Sequence, residues 1–467
     1  MIVDLGVIAI CYFAALSWGS NEPWAMSVIA VGTFSLLALR LIQDAWQGSL
    51  EPRRSRVYLP LLFFVVYTGL QVAGQRAGLE SARAWLPHTV DGHSSTLYFL
   101  LAASYVALVF LVHNGFRSRF RVKMLLIAIV ALGLLEALYG LLQYLGNYGY
   151  IWDYQVTTEV ARGTFINRNH YALLLNLSIC AGLGYLYYCS IRFSSRPRTT
   201  LLDRLSALGL ERLAWVALGL AFMGMALIFS RSRMGIAALA GCAGMMVITG
   251  KISRTGKRIV VFGLSVGLAL ASLALYTGID VVLERYEKIA PGQAEEDRLP
   301  MWQDAWKMIR GHVVLGQGLG TFRWTYPEFE SVDPDVPAMY AHNDYIQAVA
   351  EVGVIGLLML LAAYALAWKT AARNLLVADD PLVKGIGLAV VGGLTATALQ
   401  ELTDFSLYIP GVAATFAVLV GLNLRASHLG VKETRGVPAT RMSFTGNRPL
   451  IVLQDSGFRL LIRKEKP

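Results

Sequence analysis

Arg231, Arg233, Arg298 and His342 are the side chains of this sequence whose types and settings suit chemistry. A guanidinium is planar, always charged and grips two phosphate oxygens at once. A neutral imidazole near pH 7 accepts the proton of a hydroxyl. Together these groups suit a lipid-borne, anionic substrate held at the membrane edge, although each has an ordinary explanation. Arg298 serves equally well in a salt bridge with a loop carboxylate, and a lone histidine is more often structural than catalytic. Ser230, Arg231, Ser232 and Arg233 interrupt what would otherwise be one long apolar run. An arginine at the centre of a membrane span costs about 2.5 to 3.5 kcal/mol on insertion scales, so it usually marks function. Near an outer turn, snorkelling lowers that cost. Residues two apart on a helix point to nearly opposite faces, so a helical segment would leave only one of Arg231 and Arg233 facing a given cavity.

A second group precedes an apolar stretch. ARGTFINRNHYA, Ala161 to Ala172, sets Arg162, Asn167, Arg168, Asn169 and His170 close together. Amide and guanidinium groups there hydrogen-bond a sugar or a phosphate, or the run is a helix N-terminus capped by asparagine. Asn343, beside His342, and Asp404, in QELTDFSLYIPG, join the substrate-binding candidates. Pairing with an arginine is the ordinary use of Glu401 and Asp404.

The elements that position these residues are membrane spans. The chain is 55% hydrophobic and 15% charged, with mean hydropathy +0.52, too apolar for a soluble protein of 467 residues. A spanning helix needs about 20 mostly apolar residues, and about twelve runs are candidates, near 3–19, 24–43, 57–74, 96–113, 124–145, 171–189, 213–230, 234–250, 259–277, 345–368, 385–403 and 410–424. Period-2 alternation does not dominate, which argues against a β-barrel. The expected fold is an all-α polytopic membrane protein with about 12 transmembrane helices.

A net charge of +10 would suggest nucleic acid in a soluble protein, but its placement indicates a membrane orientation and no nucleic-acid partner. Segments 44–56, 114–123, 190–212, 251–258, 369–384 and the tail from Arg425 hold 28 of the 41 Lys and Arg. All fall on one side if twelve spans alternate. Excess Lys and Arg marks the cytoplasmic side, so both termini are expected inside and the polar loop 278–344 outside. The division is a transmembrane domain over 1–425, carrying that loop, and a basic cytoplasmic tail over 426–467. The first span, with Asp4 and no basic leader, is read as a retained helix. The four cysteines sit in or at the ends of spans, with no disulfide or metal spacing.

Within the loop, Pro300 suits a first helical position. Trp302, Ala305, Trp306 and Ile309 follow on one helical face, and Arg298 lies just before, near the positive end of the dipole. GQGLG, Gly316 to Gly320, lacks a βαβ setting and reads as a tight turn. Glu328, Glu330, Asp333 and Asp335 read as a solvated face, His88 and His93 as surface groups before a weak metal signal, and Glu351 as a buried acid without an assigned role. In the tail, PLIVLQ and FRLLIRK read as a small hairpin.

With NRNHYA, SRSRMG, Arg298 with Trp302 ahead of the glycine turn, HNDYIQAVAEVG (His342 to Gly353) and DFSLYIP in view, the chain resembles the O-antigen ligase and polymerase family of bacterial envelope glycosyltransferases. The similarity covers most of the spans and is most specific from about 161 to 411. It implies a type C glycosyltransferase architecture in the bacterial inner membrane, with a periplasmic site and no cofactor. The activity implied is metal-independent, inverting transfer of a glycan from undecaprenyl pyrophosphate to an acceptor saccharide, either lipid A-core or a growing glycan. By resemblance, Arg233 and Arg298 hold the pyrophosphate, with Arg231 an alternative to Arg233, and His342 activates the acceptor hydroxyl. The sequence leaves ligase and polymerase open, with NRNHYA and DFSLYIP leaning toward exopolysaccharide-type members. From another class, the same arginines suit a transporter or flippase of an anionic lipid-linked sugar. Such folds tend to carry internal repeats, and no convincing repeat is found.

Overall fold

The computed structural model describes residues 1–48, 52–76, 86–194, 210–249, 298–331, 338–429, 450–454 and 457–461. Its helices are α1 (Ile2–Leu16), α2 (Pro23–Trp46), α3 (Tyr58–Arg76), α4 (Gly92–Gly115), α5 (Arg119–Leu145), α6 (Arg168–Ser194), α7 (Leu210–Phe229), α8 (Arg233–Thr249), α9 (Arg298–Ile309), α10 (Phe322–Thr325), α11 (Asp344–Leu376), α12 (Pro381–Gln400) and α13 (Pro410–Ser427). Two-residue strands β1 (Tyr150–Ile151) and β2 (Tyr154–Gln155) pair antiparallel before α6. Eight of the described helices, α2 to α6 and α11 to α13, are long and apolar enough to cross a bilayer; α1 and the apolar parts of α7 and α8 are shorter. The chain is therefore an all-α polytopic membrane protein. The expected run at 259–277 lies outside the described residues, as do 278–297 of the polar loop and Asp333 and Asp335.

The helices begin where polar side chains can cap them. Asp91 accepts from Ser94 N–H, Ser118 from Arg121 N–H, and Asp380, before Pro381, from Leu382 and Val383 N–H. Between apolar helices in lipid, small residues let backbones approach and gain dispersion contacts. α6 and α12 meet in this way: a Cβ on Gly184 or on Gly385 would collide with the other's carbonyl oxygen.

Local contacts sort the connections to two ends of the bundle. At one end Trp152 Nε1 donates to Leu16 O, Ala161 N–H to Phe229 O, Gln400 Nε2 to Asn169 O, Trp324 Nε1 to Ser94 Oγ, and Tyr340 Oη to Asn21 Oδ1. At the other, Arg40 binds Asn114 O, Arg119 pairs with Asp380, Arg121 with Asp4, and Arg425 binds Phe116 and Arg117 carbonyls. The polar loop and the NRNHYA run share the first end; the clustered arginines of the 44–56 and 114–123 connections share the second.

α11 is broken. Gly353 takes φ 65° and ψ −179°, and the segment before the glycine turn enters the gap. Val354 N–H donates to Val313 O (2.8 Å), while Gln317 and Gly318 N–H donate to Ala350 O (3.1 Å) and Glu351 O (2.8 Å). A Cβ on Gly353 would collide with the Val314 backbone, so the site needs glycine for space as well as for its positive φ. The carbonyls freed by the break are thereby paired inside the protein, as backbone at membrane depth requires.

Two sequence expectations for the loop change. Among the described residues α9 already includes Arg298 and Leu299 ahead of Pro300, so Arg298 is part of the helix and Pro300 is not its first residue. Ala305 and Ile309 are buried with Asp304 and Met308, but Trp306 is 50% exposed, because the buried face runs through Met308 instead. The contacts divide the chain into Met1–Gly430 and Val431–Pro467. In the second unit β3 (Leu450–Gln454) pairs antiparallel with β4 (Gly457–Leu461), the hairpin read from the sequence.

Candidate functional site

His342 sits where α11 begins. Asn343 caps that helix, its Oδ1 accepting from Tyr345 and Ile346 N–H at 3.0 Å each, while its Nδ2 donates to Leu402 O at 2.8 Å. Asp344 N–H is shared by the Glu401 and Asp404 carbonyls, at 3.1 Å each. From α9, Trp302 Nε1 donates to Ala341 O at 2.9 Å. Held by these bonds, His342 adopts φ 47°, a left-handed conformation that costs a non-glycine residue about 1 to 2 kcal/mol. Backbone strain of this kind collects at functional sites.

Phe405 is the hub around which the polar groups gather. The rings of His342 and His170 meet it edge-on at 4.8 and 4.6 Å between centroids, and Tyr340 stacks on it at 4.1 Å. His170 Nε2 lies 3.5 Å from Asp404 Oδ1, which also accepts from Phe405 N–H at 2.9 Å. Arg298 is close enough to act on His342 electrostatically, and none of the ion pairs among the described residues engages it.

The charges here oppose one another. Burial lowers the His342 pKa below its ordinary 6.5; the Asp404 carboxylate resists that shift, while Arg298 and His170 add to it. His342 is therefore neutral at pH 7. Burial by itself would raise Asp404, but His170, Phe405 N–H and His342 hold it below its ordinary value. Glu401 is pushed well up by burial and by the neighbouring Asp344 and Asp404 carboxylates. Neither acid meets an arginine as expected: Asp404 faces His170, and Glu401 accepts from Ser406 N–H at 2.8 Å.

Four of the expected residues thus come together: His342, Arg298, His170 and Asp404. SRSR lies at the same end of the bundle, and Ser232 decides how its arginines diverge. Its Oγ accepts from Gly235 N–H and caps α8, leaving Arg231 before the cap at φ 53° and Arg233 exposed at the first helical position. Arg231 donates to Tyr144 Oη at 3.3 Å and lies 5.6 Å from that ring's centroid. Asn167 Oδ1 caps Asn169 N–H, the Asn169 carbonyl holds Gln400, and Arg168 opens α6 half-buried. Asn343 has its amide engaged on both sides.

The sequence missed the aromatic part of this site. Phe405 lies inside DFSLYIP and Tyr340 just before AHNDY, where only acids and the histidine drew notice. Glu351 also acquires a role: Oε2 accepts from Gly320 N–H (2.7 Å) and Tyr408 Oη (2.6 Å), and Oε1 from Phe322 N–H (3.2 Å), pinning the glycine turn to α11. Behind the site an apolar slot of about 330 Å³ runs between α3, α4, α11 and α13, lined by Phe64, Tyr98, Leu101 and Val420 and reaching Asp344 and Tyr408.

A search of curated proteins finds no match. A family model described as O-antigen ligase matches residues 218–361. That stretch holds Arg231, Arg233, Arg298 and His342, whereas His170, Asp404 and Phe405 lie outside it and reach the same site through the fold. Residues 218–361, set among these membrane helices, match the O-antigen ligase family.

Proposed function

We propose that this protein transfers a glycan from undecaprenyl pyrophosphate to a hydroxyl of an acceptor saccharide at the periplasmic face of the bacterial inner membrane. The observation that carries this reading is a neutral, backbone-strained His342 placed with Arg298, His170 and Asp404 around Phe405. His342 takes the proton of the acceptor hydroxyl as its oxygen forms a bond to the anomeric carbon. The bond from that carbon to the pyrophosphate oxygen breaks, inverting the centre, and the pyrophosphate leaves with both electrons. Arg298, helped by Arg233 or Arg231, stabilises the charge gathering on the departing oxygens, a task guanidinium groups perform without calling on a metal. Asp404 offsets the positive charge that His342 acquires, as the acid of a catalytic triad does for its histidine.

The orientation follows from counting 259–277 as a twelfth span in a type C architecture. Both termini and the basic connections then face the cytoplasm, the tail over 426–467 among them, and the loop 278–344 faces the periplasm. The apolar slot suits the polyprenyl tail, which would lie at membrane depth beneath the pyrophosphate. The acceptor is lipid A-core in a ligase and a growing glycan in a polymerase. Purified protein supplied with lipid-linked donor and each acceptor in turn tests the reading. Wild-type chain should form one product, and His342→Ala and Arg298→Ala chains of unchanged elution should not. Equal transfer by all three would sink the proposal, and transbilayer movement of donor without transfer would point to a flippase.

A further inference from the structure

A second cavity, of about 520 Å³, opens outside the spans between the C-terminal half of α9 and the segment 322–329, lined by Lys307, His312, Gln317, Trp324, Glu328 and Phe329 among others. Its size falls within the usual range for small-molecule sites. We propose that this cavity is a saccharide subsite that holds sugar rings of a glycan chain beyond the one reacting at His342, an inference that rests on the glycan-transfer reading above.

Three observations carry it. Trp324 is 52% exposed yet fixed: its Nε1 donates to Ser94 Oγ at 2.9 Å, and the Arg323 guanidinium lies 4.5 Å from the ring centroid. An anchored indole edging a polar cavity is a flat platform for the apolar C–H face of a sugar ring. Gln317 is only 7% exposed, and its Oε1 has no hydrogen-bond partner. Its backbone cannot move to relieve this, because Gln317 N–H donates to Ala350 O, its carbonyl accepts from Val90 N–H, and Gly316 and Gly318 on either side hold positive φ. Gln317 lines the cavity, where a water or a sugar hydroxyl is the kind of donor such an acceptor takes. Finally, the charged groups offset each other: Lys307, paired with Asp304 at 2.7 Å, and Glu328. This mixture favours an uncharged, hydroxyl-rich ligand over a phosphate, unlike the surroundings of Arg298.

The cavity is placed for that role. Lys307 lies on α9 nine residues after Arg298, roughly 14 Å along its axis at about 1.5 Å per residue. A glycan chain extending from the reacting sugar along α9 would reach it. The chain belongs to either the donor or the acceptor, and one experiment separates them.

Saturation-transfer NMR on the purified full chain would use two probes: the oligosaccharide released by mild acid from the cell's own lipid-linked glycan, and delipidated core oligosaccharide from the same cells. Binding of the first places the donor glycan in the cavity, and binding of the second places the acceptor. Trp324→Ala should weaken binding by about tenfold, the loss typical of one aromatic anchor. Gln317→Leu should weaken it too, and Trp324→Phe should largely restore it. The subsite is overturned if neither probe binds the wild-type chain, or if both bind Trp324→Ala and Gln317→Leu as tightly as wild type. His342-dependent transfer alongside Trp324-independent binding would remove the subsite alone. Trp324-dependent binding without any transfer would remove the catalytic reading and leave the subsite standing.

Discussion

At the residue scale, the behaviour of His342 is set by groups that pull its proton affinity in opposite directions. A base works in its neutral form, and the His342 pKa lies below 6.5, so transfer should be complete at pH 7 and fall as pH drops through that lower value. Asp404→Asn removes the one influence that raises this pKa. The acid limb of kcat/KM should then move to lower pH while the plateau falls, because the imidazolium loses its counter-charge. Arg298→Lys, which keeps the charge but gives up the two-pronged grip, should leave the acid limb nearly in place and lower kcat. A pH profile of the three proteins checks both expectations, and an acid limb moving upward in Asp404→Asn would contradict the electrostatic account. His342→Ala should cost about 10² to 10⁴ in kcat, the usual contribution of a positioned base.

At the element scale, the broken helix α11 and the glycine turn stabilise each other. Glu351→Leu would leave the Gly320 and Phe322 N–H groups and the Tyr408 hydroxyl without their acceptor. An orphaned buried group costs about 1 to 3 kcal/mol, so the unfolding temperature in detergent should drop clearly, and less in Glu351→Gln, which keeps an acceptor oxygen. Gly353→Ala should destabilise by at least about 1 to 2 kcal/mol from its positive φ alone, before its Cβ meets Val314. Thermal melts of the three variants measure this. Wild-type melting of Gly353→Ala would mean that α11 runs straight through.

At the scale of the whole molecule, the two ends of the bundle differ in kind. One gathers the site, and the other gathers arginines of the connections between spans. Tyr154→Cys, exposed at the site end, should react in intact cells with a thiol reagent that cannot cross the inner membrane, whereas Arg54→Cys, exposed at the basic end, should react only after lysis. The reverse pattern would invert the proposed orientation. The native cysteines add little background, since Cys11, Cys180 and Cys242 are buried and Cys189 is half-buried.

Membrane helices are readable in a sequence because the bilayer requires long apolar runs, and a long run such as 124–145 or 345–368 announces itself without reference to its neighbours. The arginines and His342 were visible for a related reason: ionised or polar groups at the ends of such runs are costly and therefore conspicuous. What the sequence could not supply was their company. His170 and Asp404 are more than two hundred residues apart, and only the packing of α6 against α12 brings them within 3.5 Å. Phe405 looked like one more apolar residue until His342, His170 and Tyr340 closed around it. Glu351 could be recognised as a buried acid, but its partners, the amides of a turn thirty residues earlier, exist only because Gly353 breaks α11 and admits that turn. Transfer from water to lipid is decided residue by residue along the chain, whereas a site is made of contacts between distant segments, and those depend on how every helix packs.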